Sequence, residues 1–135
     1  MPRLTVWMVR AALLQLGIGV TLGMLLLWNK GSILDPDVWL LLSTHLEIMV
    51  FGWLMQLALG IAFWILPRFT AEPRYGNLRL AWIGFVLLNL GIVLVIISAW
   101  VSSAASLQSI GRLIELIAAV LLVIVLWPRV KTFGA

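Results

Sequence analysis

The only histidine of the chain, His45, lies inside an apolar run that is long enough to cross a lipid bilayer. Glu47 follows it two residues later. Ionisable side chains are rare within membrane spans and usually mark functional sites. A neutral imidazole is also the commonest metal ligand that proteins use. His45 is therefore the leading candidate for a metal-ligating residue.

Steps of three and four residues bring a histidine, a thioether and glycines onto one face if the run from Ser43 to Arg68 is helical. The residues of this face are His45, Met49, Gly52, Gln56, Leu59 or Gly60, and Phe63. Methionines and glycines on such a face usually serve packing, which is also the simpler interpretation of Met49 and Met55. A flat cofactor beside His45 would nevertheless need small neighbours, and Gly52 is one candidate.

The composition places the chain in the membrane class, because 64% of its 135 residues are hydrophobic and 10% are charged. Four spans are predicted, at about 6–28, 37–66, 79–101 and 107–127, and together they form one all-α integral-membrane bundle. W-N-K-G-S after the first span offers no small-x-small cleavage site, so we expect a retained helix. Gly19 and Gly23 within it form a G-x-x-x-G pattern that favours close helix contact.

The absence of cysteine excludes thiolate metal sites and iron–sulfur clusters. The net charge of +4 is dispersed over the ends of the spans, so nucleic acid is not an expected partner. The distribution of basic residues predicts that both termini are cytoplasmic, in a prokaryotic inner membrane. The predicted cytoplasmic side carries Arg3, Arg10, Arg68, Arg74, Arg79, Arg129 and Lys131, and the other side carries Lys30 and Arg112.

Two polar layers are predicted inside the bundle, because unsatisfied polar groups in hydrocarbon cost several kcal/mol each. A rise of about 1.5 Å per residue puts His45 roughly 12 Å from the outer end of its helix. The outer layer contains His45, Glu47, Arg112 and Glu115, and the inner layer contains Gln15, Gln56 and Asn89. Arg112 and Glu115 are spaced for an ion pair within one helix.

The run from His45 to Pro67, H-L-E-I-M-V-F-G-W-L-M-Q-L-A-L-G-I-A-F-W-I-L-P, resembles the second helix of subunit I of the haem–copper oxidases. That helix carries a histidine, then M-x-F, a methionine, a glycine-rich turn, an aromatic residue and a proline. The matching positions are His45, Met49, Phe51, Met55, Gly60, Trp64 and Pro67. The resemblance implies that His45 is an axial ligand of a b-type haem. It also makes Arg112 a candidate partner of the haem propionates.

The resemblance covers the first four of the family's twelve helices, and only the second helix is specific. The family uses several further histidines for its second haem and its copper, whereas this chain has one histidine. Haem b without copper, and without a complete oxidase active site, is therefore the implied cofactor. The twelve helices form three four-helix arcs, so we expect a homo-oligomer. A trimer is slightly favoured over a dimer, although a dimer could pair two histidines on one haem.

Three functions fit these observations. The leading one is a small membrane b-type haem protein that transfers electrons or binds a gas. The second is a non-haem structural or accessory subunit of a respiratory or photosynthetic complex, which keeps the oxidase-like helix for packing. The third is a small transporter or proton channel that uses Glu47, Arg112 and Glu115. Besides membrane lipid, a redox partner or a larger respiratory complex is an expected partner.

Overall fold

Four long helices make up most of the structure, a computed structural model that describes residues 1–32, 35–101 and 105–131. Each helix is long and apolar enough to cross a membrane, and no strand occurs in the described ranges. The expectation of an all-helical protein with four spans is confirmed. The four helices are Arg3–Ser32, Pro36–Ile65, Leu78–Trp100, and Ala105–Leu126 with a 3₁₀ turn at Trp127–Arg129.

The helix starts follow local capping chemistry. The Asp35 side chain accepts the N–H of Asp37 at 2.9 Å, and Pro36 takes the first helical position, as its fixed backbone angle favours. Asn77 caps the third helix by accepting the N–H of Leu80 at 3.1 Å. The first helix is longer at both ends than the predicted 6–28, because polar residues outside the apolar run also continue a helix.

The second helix changes its type along its length. It begins as a 3₁₀ turn at Pro36–Leu40, is α-helical over Leu41–Glu47, becomes a π-helix over Ile48–Met55, and returns to α over Gln56–Ile65. The sequence predicts one regular helix over 37–66 and gives no sign of this change. Wide π turns are rare and often occur at functional sites. Here the π segment begins three residues after His45.

Consecutive helices run antiparallel. Gly60, late in the second helix, packs on Met8, early in the first, and Arg129 at the end of the fourth helix reaches the carbonyl oxygen of Phe63. Both described chain ends therefore lie at one end of the bundle. The third and fourth helices approach most closely, since a Cβ on Gly91 would lie 3.0 Å from the carbonyl oxygen of Gly111.

A chain of side-chain amides joins the first three helices in mid-bundle. Gln15 donates to Asn89 at 2.9 Å, and Asn89 donates to Gln56 at 2.7 Å. Gln56 in turn donates to the backbone carbonyl of Met8 at 3.4 Å. The predicted inner polar layer is thus confirmed, and it fixes three helices at a common depth.

Arg129 holds the end of the fourth helix against the end of the second. Its side chain is 0% exposed and donates to three backbone carbonyls that the helix end leaves without intrahelical partners. The acceptors are Phe63 at 2.9 Å, Leu66 at 2.7 Å and Pro67 at 3.0 Å. The guanidinium also lies 5.1 Å from the ring centroid of Phe63. The sequence indicates Arg129 only as one of the basic residues on the predicted cytoplasmic side, and this structural role was not predicted.

We expect Arg129→Met to destabilise the bundle by about 3 kcal/mol, because it removes charge-assisted hydrogen bonds from buried carbonyl groups. Arg10→Met is the matched control, since Arg10 is exposed on the first helix. Unfolding in mixed detergent micelles, followed by circular dichroism, measures both variants. Equal stability of the two variants would contradict the structural role of Arg129.

The antiparallel path and the basic-residue distribution together predict that the N and C termini share the cytoplasmic side. Fusions of a cytoplasm-active reporter and a periplasm-active reporter to the C terminus, expressed in a bacterial host, measure this. We expect activity from the cytoplasmic reporter alone. Activity of the periplasmic reporter would show that the bundle is inserted the other way round.

Candidate functional site

Within the described residues His45 forms one hydrogen bond, and that bond determines which ring nitrogen acts as the donor. The ring Nδ1 lies 2.8 Å from the backbone carbonyl oxygen of Gly19 on the first helix. A carbonyl oxygen only accepts, so Nδ1 must carry the proton and donate it. The nitrogen left to act as a metal ligand is then Nε2, which has no hydrogen bond within the described part of the chain. Metal-ligating histidines typically show this arrangement, with one nitrogen donating to a carbonyl and the other free.

Gly23 makes room for the imidazole. A Cβ at this position would lie 2.9 Å from Cε1 of His45, which is closer than side chains pack. Gly19 and Gly23 therefore form a shallow seat on the first helix, in which Gly19 supplies the acceptor and Gly23 the space. The G-x-x-x-G pattern indicated close helix contact, and the structure shows that the contact positions His45.

A cavity of about 510 Å³ lies beside His45 and has the size of a ligand site. The first and second helices both contribute to its walls. Apart from His45 and one lysine, the lining is apolar or aromatic. The lining residues are Val20, Gly23, Met24, Leu26, Leu27, Lys30, Trp39, Leu42 and His45.

Met49 and Gly52 share a face with His45, as the spacing predicts, but the first helix covers that face. Met49 packs against Gly19, and Gly52 packs against the side chain of Gln15. Neither residue lines the cavity beside His45. In this chain their observed role is contact between the first and second helices.

Arg112 forms ion pairs with two buried glutamates, one on its own helix and one on the second helix. Its Nη2 lies 2.7 Å from Oε2 of Glu47, and its Nη1 lies 2.9 Å from Oε2 of Glu115. Both glutamate residues are 3% exposed. The guanidinium also covers the ring of Phe51 at 5.1 Å from the centroid. The predicted pair of Arg112 with Glu115 is confirmed, and Glu47 joins it from the second helix.

The ion-pair cluster and His45 occupy different sides of the second helix. Two successive steps of about 100° separate His45 from Glu47, so one faces the first helix and the other faces the fourth. Arg112 does not line the cavity beside His45. The outer polar layer of the sequence analysis is therefore two separate sites at a similar depth.

The roles of three residues at the site were not predicted from the sequence. Gly19 supplies the carbonyl acceptor, Gly23 supplies space for the imidazole, and Lys30 supplies an ammonium group at the cavity. All three belong to the first helix, which antiparallel pairing places beside the second. Because antiparallel helices place residues of equal depth side by side, the depth of His45 would have identified Gly23 as its neighbour. Across residues 1–32, 35–101 and 105–131, no group of three His, Cys, Asp or Glu residues gathers as a metal site. An axial haem ligand requires only one of them.

Comparison with known proteins identifies the family. The family model described as cytochrome c and quinol oxidase polypeptide I matches residues 3–130, which include all four helices. Neither the curated proteins nor the solved structures contain a match to the chain. The family match agrees with the resemblance of the run from His45 to Pro67. Since it extends over nearly the whole chain, this protein belongs to the cytochrome c and quinol oxidase polypeptide I family.

Proposed function

We propose that this protein binds a b-type haem through Nε2 of His45 and serves in electron transfer or in the binding of a small gas. The observation that carries the proposal is the hydrogen bond from Nδ1 of His45 to the Gly19 carbonyl. It leaves Nε2 as a free ligand atom in a helix whose sequence resembles a haem-ligating helix. A haem iron supplies one-electron transfer, or reversible gas binding where one axial position is open.

The residues around His45 fit a macrocycle. The Gly19 carbonyl orients the imidazole by accepting the hydrogen bond from Nδ1, and this bond makes Nε2 a stronger metal ligand. Gly23 allows the ring to lie against the backbone of the first helix. The apolar walls formed by Met24, Leu26 and Leu42 would exclude water from the iron. Apolar walls and a nitrogen ligand atom are compatible with a b-type haem.

The cofactor prediction compares two glycines of one helix. Purified, reduced wild-type protein should show the Soret and alpha bands of a b-type haem, and His45→Ala should abolish them. Gly23→Leu should also lose most of the haem, because its side chain would displace the imidazole. Gly17→Leu is the matched control and should keep the haem, since Gly17 has open space around it. Absorption spectra and haem content per chain measure all four proteins.

A colourless wild-type protein, made where haem is abundant, would contradict the proposal. It would favour instead an accessory subunit that keeps the oxidase-like helix for packing. Haem retained in both His45→Ala and Gly23→Leu would place the cofactor elsewhere in the bundle.

We also propose that the chain self-associates across the cavity. Its first-helix wall is exposed in one chain, with Val20 at 46%, Met24 at 66% and Leu27 at 71% exposure. A haem held there by one imidazole would have one face towards lipid. A second copy could cover that face, and its own His45 could supply the opposite axial bond. Three copies would instead rebuild the three arcs of the family, each with a separate haem, and we slightly favour this trimer.

Native mass spectrometry in detergent distinguishes these assemblies by chain number and haem count. One haem per two chains indicates a shared, doubly ligated haem, and three haems in a trimer indicate separate sites. The His45→Ala variant is the control that shows whether association needs haem. A stable monomer that is fully loaded with haem would refute self-association.

The remaining proposals concern the surroundings of the protein. A one-electron carrier needs a donor and an acceptor within reach of its haem, so a membrane redox partner or a larger respiratory complex is expected. The basic-residue distribution is of the kind seen in proteins of the prokaryotic inner membrane, where we place the chain.

A further inference from the structure

We propose that Lys30 binds the carboxylate groups of the haem, so that the propionate edge of the macrocycle lies towards the end of the bundle that carries Lys30 and Trp39. This inference rests on the proposed function, because it assumes a haem in the cavity beside His45. It assigns the haem one orientation within that cavity. It also replaces Arg112, the propionate partner that the sequence suggested.

The cavity contains one cation at a suitable distance from the ligand atom. Gly23 lies against the His45 ring, and Lys30 follows seven residues later on the same face of the first helix. Seven residues of α-helix rise by roughly 10 Å. The centre of a porphyrin is separated from its carboxylate groups by a comparable length. A haem with its iron at His45 would therefore bring its propionates to the level of Lys30.

The charge distribution makes Lys30 the counter-ion. Among the described residues it is the only ionisable one besides His45 that lines the cavity, and the other lining residues carry no charge. Within the described ranges, no salt bridge engages Lys30. Trp39, near the start of the second helix, lines the same cavity and adds an aromatic surface at this end. Two carboxylates and one ammonium at the membrane boundary form charge-assisted hydrogen bonds readily.

Arg112 is unsuited to this role for two reasons. Its guanidinium already pairs with Glu47 at 2.7 Å and with Glu115 at 2.9 Å, and losing it would leave two buried carboxylates without a counter-charge. It also approaches the second helix from the fourth helix, whereas His45 faces the first. A haem bound at His45 would meet Lys30 on the same wall of the cavity.

Haem and its dimethyl ester provide a direct test, because the ester lacks both carboxylates but keeps the iron and the macrocycle. Optical titration of the haem-free full chain in detergent gives the dissociation constant of each ligand. Wild type should bind haem about fivefold more tightly than the ester, the effect of a partly exposed ion pair. Lys30→Met should lose this preference by weakening haem binding alone. Lys131→Met is the matched control and should retain it, since Lys131 is an exposed lysine at the opposite end of the bundle.

The outcomes separate this inference from the proposed function. If Lys30→Met keeps the wild-type preference for haem over its ester, Lys30 only extends to the lipid headgroups and the inference is wrong. If wild type shows no preference at all, the propionates have no cationic partner, and the inference is also wrong. If wild type binds neither ligand, the proposed function itself fails. It also fails if the His45→Ala variant still binds both ligands. High salt should reduce the preference of wild type but leave ester binding unchanged.

Discussion

The hydrocarbon of a bilayer offers no hydrogen-bonding partners, and this constraint determines how the four helices are joined. Polar contacts hold them together at three depths. Arg129 binds the carbonyls at the end of the second helix, Asn89 links two glutamines in mid-bundle, and Arg112 joins two glutamates further along. The second helix takes part in all three contacts. Its position is therefore set at several heights, and the orientation of His45 follows from it.

His45 differs from the other polar residues of the second helix because it borders the cavity beside the first helix. Gln56 and Glu47 of the second helix have partners on neighbouring helices, whereas the Thr44 hydroxyl and one oxygen of Glu47 have none in the described structure. The imidazole of His45 uses one nitrogen and leaves the other without a hydrogen bond within the described residues. A polar atom without a partner is costly in hydrocarbon, and the cavity beside His45 leaves room for a ligand that would satisfy it. The second helix thus leaves this nitrogen available beside the cavity, where the proposed haem would bind it.

The fold and the depth of the polar layers could be predicted from the sequence because both depend on hydropathy and on position along a helix. Counting residues placed Gln15, Gln56 and Asn89 at one level, and the structure joins them. The depth of a residue does not specify which neighbouring helix it faces. Arg112 and His45 were therefore assigned to one layer, although they lie on different sides of the second helix. The charge of Arg129 is compatible with a topology signal and with hydrogen bonding to buried carbonyls, and only the packing shows the second role. The π segment was missed because apolar residues surround it and hydrogen-bond register leaves no trace in composition.

The π segment has a consequence for the length of the second helix. His45 and Gly60 both contact the first helix, and they are 15 positions apart, whereas four turns of a regular α-helix take about 14.4 residues. The wider turns at Ile48–Met55 take more residues per turn than an α-helix, so they change the phase between these two contacts. The number of residues between these two contacts is therefore constrained as well as their packing. Inserting or deleting one residue would rotate His45 by about 100° relative to Gly60 and turn the imidazole away from Gly19 and Gly23.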